Sequence, residues 1–458
     1  MQPTASNREL VTLNRHESAL VVGLGVSGYS AVRYLLARGL LVRVWDANPS
    51  PKLAAKLKEE FPEVATNFGG AELSVMETLL VVSPGVPLTS PLVKLALEQG
   101  AEVVGDIELF IQENQLPVIA ITGSNGKSTV TTLVGEMCVA GDITPLVAGN
   151  IGAPVLDALS FQKHYDVAVL ELSSFQLETT KQLKADCATI LNISADHMDR
   201  YDSMGDYILA KARVLRGAKH AVLPLHDSGL EQIIKVNATS HFTLEAPENN
   251  LQYGVKRISK RRWLSHGENL LMPLRDVPLV GLHNIKNVLS ALALVEFLKI
   301  PVDALVAAVR SFKGLPHRMQ IIAEQNQVRW VNDSKATNVG ATQTALQNIE
   351  GEVVWIAGGQ SKGADFSDLQ SSISSNIRAL ISFGQDSDEL NAALAGMLDI
   401  YPVADLTAAV KKAGELAKTA CTVLFSPACA SFDMFRDFEH RGSSFAELVQ
   451  QHIAGANS

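Results

Sequence analysis

Apolar residues in this chain gather into short β-branched runs that stop at glycine or a small polar residue, and most runs are followed by a stretch with helical spacing. The clearest is Val118-Ile119-Ala120-Ile121-Thr122, which ends in Gly123-Ser124-Asn125-Gly126-Lys127-Ser128 and leads into a helical pattern over 129–139. It predicts strand, loop, helix. The same rhythm opens the chain: a strand over 19–24 enters Gly23-Leu24-Gly25-Val26-Ser27-Gly28, then come a helix over 29–38 and a strand over 41–45 ending in Asp46. A run at 79–82 precedes Ser83 and a helix over 91–99, while strands over 166–170 and 187–191 deliver Glu171 and the polar block 192–199. Residues 206–215 are helical in pattern, 220–278 form a β-rich insertion of short alternating segments, and 288–298 make a long apolar helix opened by Gly281 to Asn287. Beyond Gly314-Leu315-Pro316, strands over 328–331, 353–357, 379–383 and 421–425 each end in small or polar residues. This repetition predicts an α/β protein of three domains: Rossmann-like over 1–105, central with a mainly parallel sheet over 106–314, and Rossmann-like again over 315–458.

Composition narrows the class. With 458 residues, 47% of them hydrophobic and 19% charged, the chain has the make-up of a soluble globular protein, and no apolar run reaches the ~18 residues needed to cross a bilayer. A net charge of −9 offers no footprint for nucleic acid, and the start of the chain lacks the order of a secretory signal, which predicts a cytoplasmic protein. Cys138, Cys187, Cys421 and Cys429 form no Cys-x-x-Cys pair and are expected as buried thiols.

The loop at Gly123 carries the strongest chemistry. Glycines let backbone N–H groups turn toward phosphates, the following helix adds its positive end, Lys127 can bridge β and γ oxygens, and Ser128 offers a hydroxyl to Mg²⁺. ATP binding follows, although Gly123 and Gly126 enclose two residues where the general phosphate loop has four. Gly23, Gly25, Gly28 and Asp46 match the dinucleotide fingerprint, which admits NAD or any diphosphate nucleotide, a UDP-linked substrate included. Glu171 and His197, at strand ends, are placed to face the crevice of Lys127 and complete Mg²⁺ shells, with a structural histidine as the alternative for His197. By pattern alone Lys211 reads as a solvated surface residue. Asn284 and Asn287, one helical turn apart, either cap the helix or read a base edge. The blocks Asn332 to Asn338 and Ser426 to Ser431 are expected to make a second polar binding face, with plain loops as the alternative.

Six of these blocks, in order, resemble the ATP-dependent Mur ligases of peptidoglycan synthesis: Thr122 to Thr129, Glu171-Leu-Ser-Ser-Phe-Gln-Leu177, Asp196-His-Met-Asp199, Gly314-Leu-Pro-His-Arg318, Asn332-Asp-Ser-Lys-Ala-Thr-Asn338 and Ser426-Pro-Ala-Cys-Ala-Ser431. The resemblance implies a central ATPase domain and an enzyme that joins D-glutamate to UDP-N-acetylmuramoyl-L-alanine through an acyl phosphate. It also implies a cytoplasmic monomer that uses ATP and two Mg²⁺ ions and binds neither nucleic acid nor membrane. By position it assigns ATP to Gly123, Ser124, Asn125, Gly126, Lys127, Ser128 and Thr129, and adenosine contacts to Asn284, Asn287, Arg318 and Asp333. Metal falls to Ser128, Glu171, His197 and Lys211, the last of these carbamylated in the family. The UDP substrate falls to Val26, Ser27, Asp46, Ser83 and Asn150, and the D-glutamate end to Lys335, Thr337, Lys362, Ser431, Phe432 and Phe438. The chain departs from the family at Ala47 and Asn48, where Thr-Arg is frequent, and at Phe432, where Leu is common. A nicotinamide-dependent oxidoreductase and a nucleotide-responsive binding protein are the rival classes.

Overall fold

Alternate residues of one buried strand face two different cores, and that alternation sets the architecture of the first sheet. The computed structural model describes residues 15–70, 74–160, 164–194, 200–227, 229–230, 240–418 and 420–456. In β1 (Ser18–Val22), Ala19 and Val21 pack with Tyr34 and Leu35 of the helix Val26–Leu36, while Leu20 and Val22 pack with Leu92, Val93 and Ala96 of the helix Pro91–Glu98. β2 (Leu41–Asp46), β3 (Ala65–Phe68), β4 (Leu79–Val82) and β5 (Glu102–Val104) complete a parallel sheet of order β3-β2-β1-β4-β5. Helices on both faces make it doubly wound.

The next parallel strands are β6 (Val118–Thr122), β7 (Pro145–Gly149), β8 (Val167–Glu171), β9 (Cys187–Ile190) and β10 (His220–Pro224), ordered β10-β9-β6-β8-β7. Ile121 is level with Glu171 and Thr122 with Ile190, so the carboxyl ends of β8, β6 and β9 lie side by side. That edge is where an open parallel sheet binds ligands.

Two compact units divide the chain: residues 1–193, 197–241 and 290–301, and residues 194–196, 242–289 and 302–458. After β11 (Ser240–Phe242), the β-rich insertion is an antiparallel ladder of β12 (Gln252–Ile258), β13 (Arg261–His266) and β14 (Asn269–Pro273). The long apolar helix runs Leu282–Leu294, starting earlier than its apolar run, because Asn284 and Asn287 are themselves buried.

A third sheet holds β15 (Gln320–Gln325), β16 (Val328–Asn332), β17 (Glu352–Gly358), β18 (Ile377–Phe383), β19 (Asp399–Pro402) and β20 (Cys421–Phe425) in the order β15-β16-β20-β17-β18-β19. All pairs are parallel except β15 with β16. The two edge strands, β15 and β19, are absent from the sequence reading because their few apolar residues are flanked by polar ones, as their partial exposure allows. The protein is thus α/β with three mostly parallel sheets. Among the described residues no helix is long and apolar enough to cross a membrane, and all four cysteines are free and buried.

Candidate active site

The loop after β6 takes two glycines into conformations that L side chains avoid, Gly123 at φ +152° and Gly126 at φ +84°. Asn192, just past β9, ties the loop down: its carbonyl accepts from Ser124 N (3.0 Å), its Oδ1 accepts from Asn125 N (2.9 Å), and its Nδ2 donates to Asn125 O (2.9 Å). The helix Lys127–Ala140 then begins at the loop, with Ser128 and Thr129 buried in its first turn. Lys127 Nζ folds back onto the carbonyls of Gly123 and Ser124, both at 2.8 Å.

Lys211 corrects the sequence reading. It is 2% exposed, and its Nζ donates to Gly123 O at 2.9 Å while lying 4.6 Å from the ring of Tyr207. Tyr207 in turn sets its hydroxyl 3.0 Å from Ser124 Oγ. In the helix Met204–Ala212 these residues stand one turn apart, so Lys211 occupies the buried stripe.

One strand over, Glu171 is buried at the end of β8. Asn150 Nδ2 donates to its Oε1 at 2.9 Å, and its Oε2 is buried with no hydrogen-bond partner among the described residues. An orphaned anionic oxygen beside a phosphate loop fits a hard divalent cation, and the Ser128 hydroxyl is a donor of the same kind. Among the described residues no three His, Cys, Asp or Glu side chains converge as a metal group. His197 lies outside the described residues, as do its neighbours in 195–199. Just after Glu171, Ser173 and Gln176 form a reciprocal capping box that starts the helix Ser174–Glu178.

In the first sheet, Asp46 holds the glycine turn itself, accepting from Leu24 N (2.7 Å) and Asn48 N (2.8 Å). Ser83 Oγ donates to Gly23 O at 2.7 Å, and a side chain at Gly28 would meet that same carbonyl. Val26 is exposed at the start of the helix Val26–Leu36, and Ser27 hydrogen-bonds the buried Asp106, whose carboxyl burial pushes above the usual carboxylate range. Sequence reasoning missed Asp106.

The second unit collects the other candidates. Asn284 Nδ2 donates to Val280 O (2.7 Å) and Asn287 Nδ2 to Asn284 Oδ1 (3.0 Å), so both are engaged at the helix start. Asp333, after β16, accepts from Ser426 Oγ (2.8 Å) and Met319 N (3.1 Å), and burial raises its carboxyl to about 7 even though Arg318 opposes the shift. Loops from three adjacent strands are fastened together. The Gln360 and Ala430 backbones exchange two hydrogen bonds, and the buried Arg441 donates to Ser334 Oγ and to the carbonyls of Ser334, Cys429 and Ala430. That fastening gathers the loops bearing Lys335 and Thr337, Lys362, and Ser431. Lys335 Nζ sits 3.7 Å over the Phe438 ring, and Lys362, exposed with φ +55°, sits 5.0 Å from the ring of exposed Phe432. Arg441 was missed as well, yet it shares the buried stripe of the helix Phe438–Ala456 with Phe445 and Val449, and a charge in such a stripe is the signal.

Three family models match along the chain: "Mur ligase MurD-like, N-terminal domain" over 17–105, "Mur ligase middle domain" over 121–295, and "Mur ligase, glutamate ligase domain" over 317–429. The chain is 44% identical over 439 residues to UDP-N-acetylmuramoylalanine--D-glutamate ligase of Pseudomonas aeruginosa, covering 94% of this chain and 97% of that protein. To the enzyme of that name from Methylobacillus flagellatus it is 45% identical over 442 residues, covering 95% and 97%. Among solved structures, a pseudomurein peptide ligase type C from Methanothermus fervidus superposes with a TM-score of 0.58 at 20% identity, covering 95% of this chain and 99% of that one. MurF from Acinetobacter baumannii gives 0.58 at 17% identity, covering 95% and 92%. Both structures share the fold.

Proposed function

The chain belongs to the Mur ligase family, and we propose that it joins D-glutamate to UDP-N-acetylmuramoyl-L-alanine at the expense of ATP, as a cytoplasmic monomer making a peptidoglycan precursor. The observation that carries the reading is the convergence of Lys127 and Lys211 on the Gly123 carbonyl, beside the buried Glu171 at the end of the neighbouring strand. A nicotinamide oxidoreductase has no use for such a cluster.

In the proposed reaction the L-alanine carboxylate attacks the γ-phosphorus, the bond to the β-γ bridging oxygen breaks, and ADP leaves. The amine of D-glutamate then attacks the acyl carbon, loses a proton, and expels inorganic phosphate. Both partners of the first step are anions, so catalysis is a matter of charge and alignment. Lys127 and the N-terminal N–H groups of the helix Lys127–Ala140 supply positive charge at the phosphates. When bound, Mg²⁺ would add Lewis-acid neutralisation of the phosphoryl oxygens. Ser128, Glu171, His197 and a carbamylated Lys211 are the proposed residues for holding two such ions. The orphaned Glu171 Oε2 supports this assignment.

Asn150 and the Val26, Ser27, Asp46 and Ser83 turns are proposed to hold the UDP substrate, and Asn284, Asn287, Arg318 and Asp333 to contact adenosine. Lys362, Thr337 and Ser431 would receive the glutamate side-chain carboxylate, with Lys335, Phe432 and Phe438 lining or closing that end. The proposed domains are 1–105, 106–314 and 315–458. Release of ADP and phosphate by the purified protein tests the whole reading. It should require both UDP-N-acetylmuramoyl-L-alanine and D-glutamate, and equal turnover with another amino acid would move the chain to a different ligase of the family.

A further inference from the structure

Arg200 lies outside every motif in the sequence and outside the site described above, yet its guanidinium is held on several sides. Nη1 donates to Pro84 O (3.1 Å), and Nη2 to Val86 O (3.4 Å) and to Glu178 Oε2 (2.9 Å), while Cζ stands 3.9 Å from the centre of the Phe175 ring. Arg200 and Glu178 are both largely buried. The second oxygen of Glu178 is taken by the Tyr201 hydroxyl at 2.5 Å, so the carboxylate is fully committed.

The loop this cation grips is Ser83-Pro84-Gly85-Val86-Pro87, between the first sheet and its next helix. Two prolines leave it short of N–H donors, so its outward carbonyls need a donor from elsewhere. The loop also sets Ser83, whose hydroxyl holds the Gly23 carbonyl in the glycine turn. Glu178 belongs to the helix that follows β8 and Glu171. Only a planar cation with several donors can serve two carbonyls and a carboxylate while stacking on a ring.

We propose that Arg200 is a positioning residue for the UDP-linked substrate: it locks the Ser83 to Val86 turn, and through Ser83 the glycine turn, against Glu178. The inference rests on the ligase reading for the identity of that substrate.

Steady-state kinetics of the full chain, with each substrate varied in turn, test it. Arg200→Ala should raise KM for UDP-N-acetylmuramoyl-L-alanine roughly tenfold and leave KM for ATP within about twofold. Arg200→Lys, lacking the fork, should fall between. Glu178→Gln keeps the shape and loses the ion pair, and should give the same split to a smaller degree. Combined with Arg200→Ala it should add little, because both act on one loop. An unchanged KM for the UDP substrate overturns the proposal, as does an equal change in every substrate's constant together with a fall in melting temperature. Should Arg200→Ala fail to fold, Glu178→Gln alone decides. If the unsubstituted protein forms no ADP, the ligase reading has failed instead, and calorimetric titration with UDP still reads the loop. Weaker binding to Arg200→Ala supports the placement, and equal affinity overturns it.

Discussion

Lys127 and Lys211 donate to the same oxygen, the carbonyl of Gly123, at 2.8 and 2.9 Å. Two ammonium groups on one acceptor repel each other, and Lys211 is buried where water screens little of that repulsion. The carbamylation proposed for Lys211 would make it an anion, replacing repulsion by attraction and leaving Lys127 to the phosphates. Lys211→Ala should therefore cut ADP formation by roughly 10²-fold or more, and a short carboxylic acid in the buffer should restore part of it. Intact-protein mass spectrometry in bicarbonate should show the added carbon dioxide in the parent and not in the variant. Full loss without rescue, and no added mass, would remove the modification from the account.

Glu171→Gln separates the shape of the site from its charge. The amide keeps an oxygen for Asn150 Nδ2, so the fold and melting temperature should hold, but the anionic oxygen proposed to receive a cation is gone. Turnover should drop by about 10²-fold and need far more Mg²⁺ to reach its plateau. A variant that titrates with Mg²⁺ like the parent would take Glu171 out of the metal site.

The division between what was legible in the chain and what was not follows physical lines. Gly123 to Ser128 could be read because a phosphate loop demands those residue types in that order, and β1, β6 and β20 because strands buried on both faces are mostly apolar. Arg441 left only the trace of a charge within an apolar helix stripe, and Lys211 and Arg200 left none, because the burial of these two cations is decided by partners distant in sequence, Gly123 and the Pro84 turn. The glycine turn could be read as suited to a diphosphate, but a choice between NAD and UDP could not, since Asp46 gives one oxygen to Leu24 N within the turn and the other to Asn48 N just beyond its own strand.

Asp333 gives the stability of this protein a sign against pH. Burial raises its carboxyl from the usual carboxylate range to about 7. Between that ordinary range and about 7 the folded protein holds a proton that the unfolded chain releases, so rising pH through this window lowers stability, and above it the loss is complete. Asp333→Asn does not titrate. The stability of Asp333→Asn relative to the parent should climb by on the order of a few kcal/mol from about pH 4 to about pH 7 and then level off. Urea midpoints of the two proteins across that range measure it. Ser426→Ala, which removes the hydroxyl donated to Asp333, should shift the window to higher pH. A constant difference between parent and Asn variant would mean that Asp333 stays ionised throughout.

Gly149 tests how closely β8, which carries Glu171, and its neighbour β7 are fitted. Its φ is +104°, and a Cβ there would lie 2.2 Å from the carbonyl oxygen of Glu171. That oxygen accepts from Asn150 N at 2.8 Å, so displacing it breaks a backbone hydrogen bond and drags away the side-chain contact between Asn150 and Glu171. Gly39 is the control, with φ +80° and no atom of the described residues within 4 Å of a built Cβ. Gly39→Ala should cost only the strain of a left-handed alanine, about 1 to 2 kcal/mol, and leave catalysis intact. Gly149→Ala adds a backbone clash to that strain, should cost some 1 to 3 kcal/mol more, and should lose most ADP formation because Glu171 moves with its carbonyl. Denaturant midpoints and ADP release on the two variants read these costs separately. Equal midpoints with full activity would show that β7 and β8 can part at their carboxyl ends without disturbing Glu171.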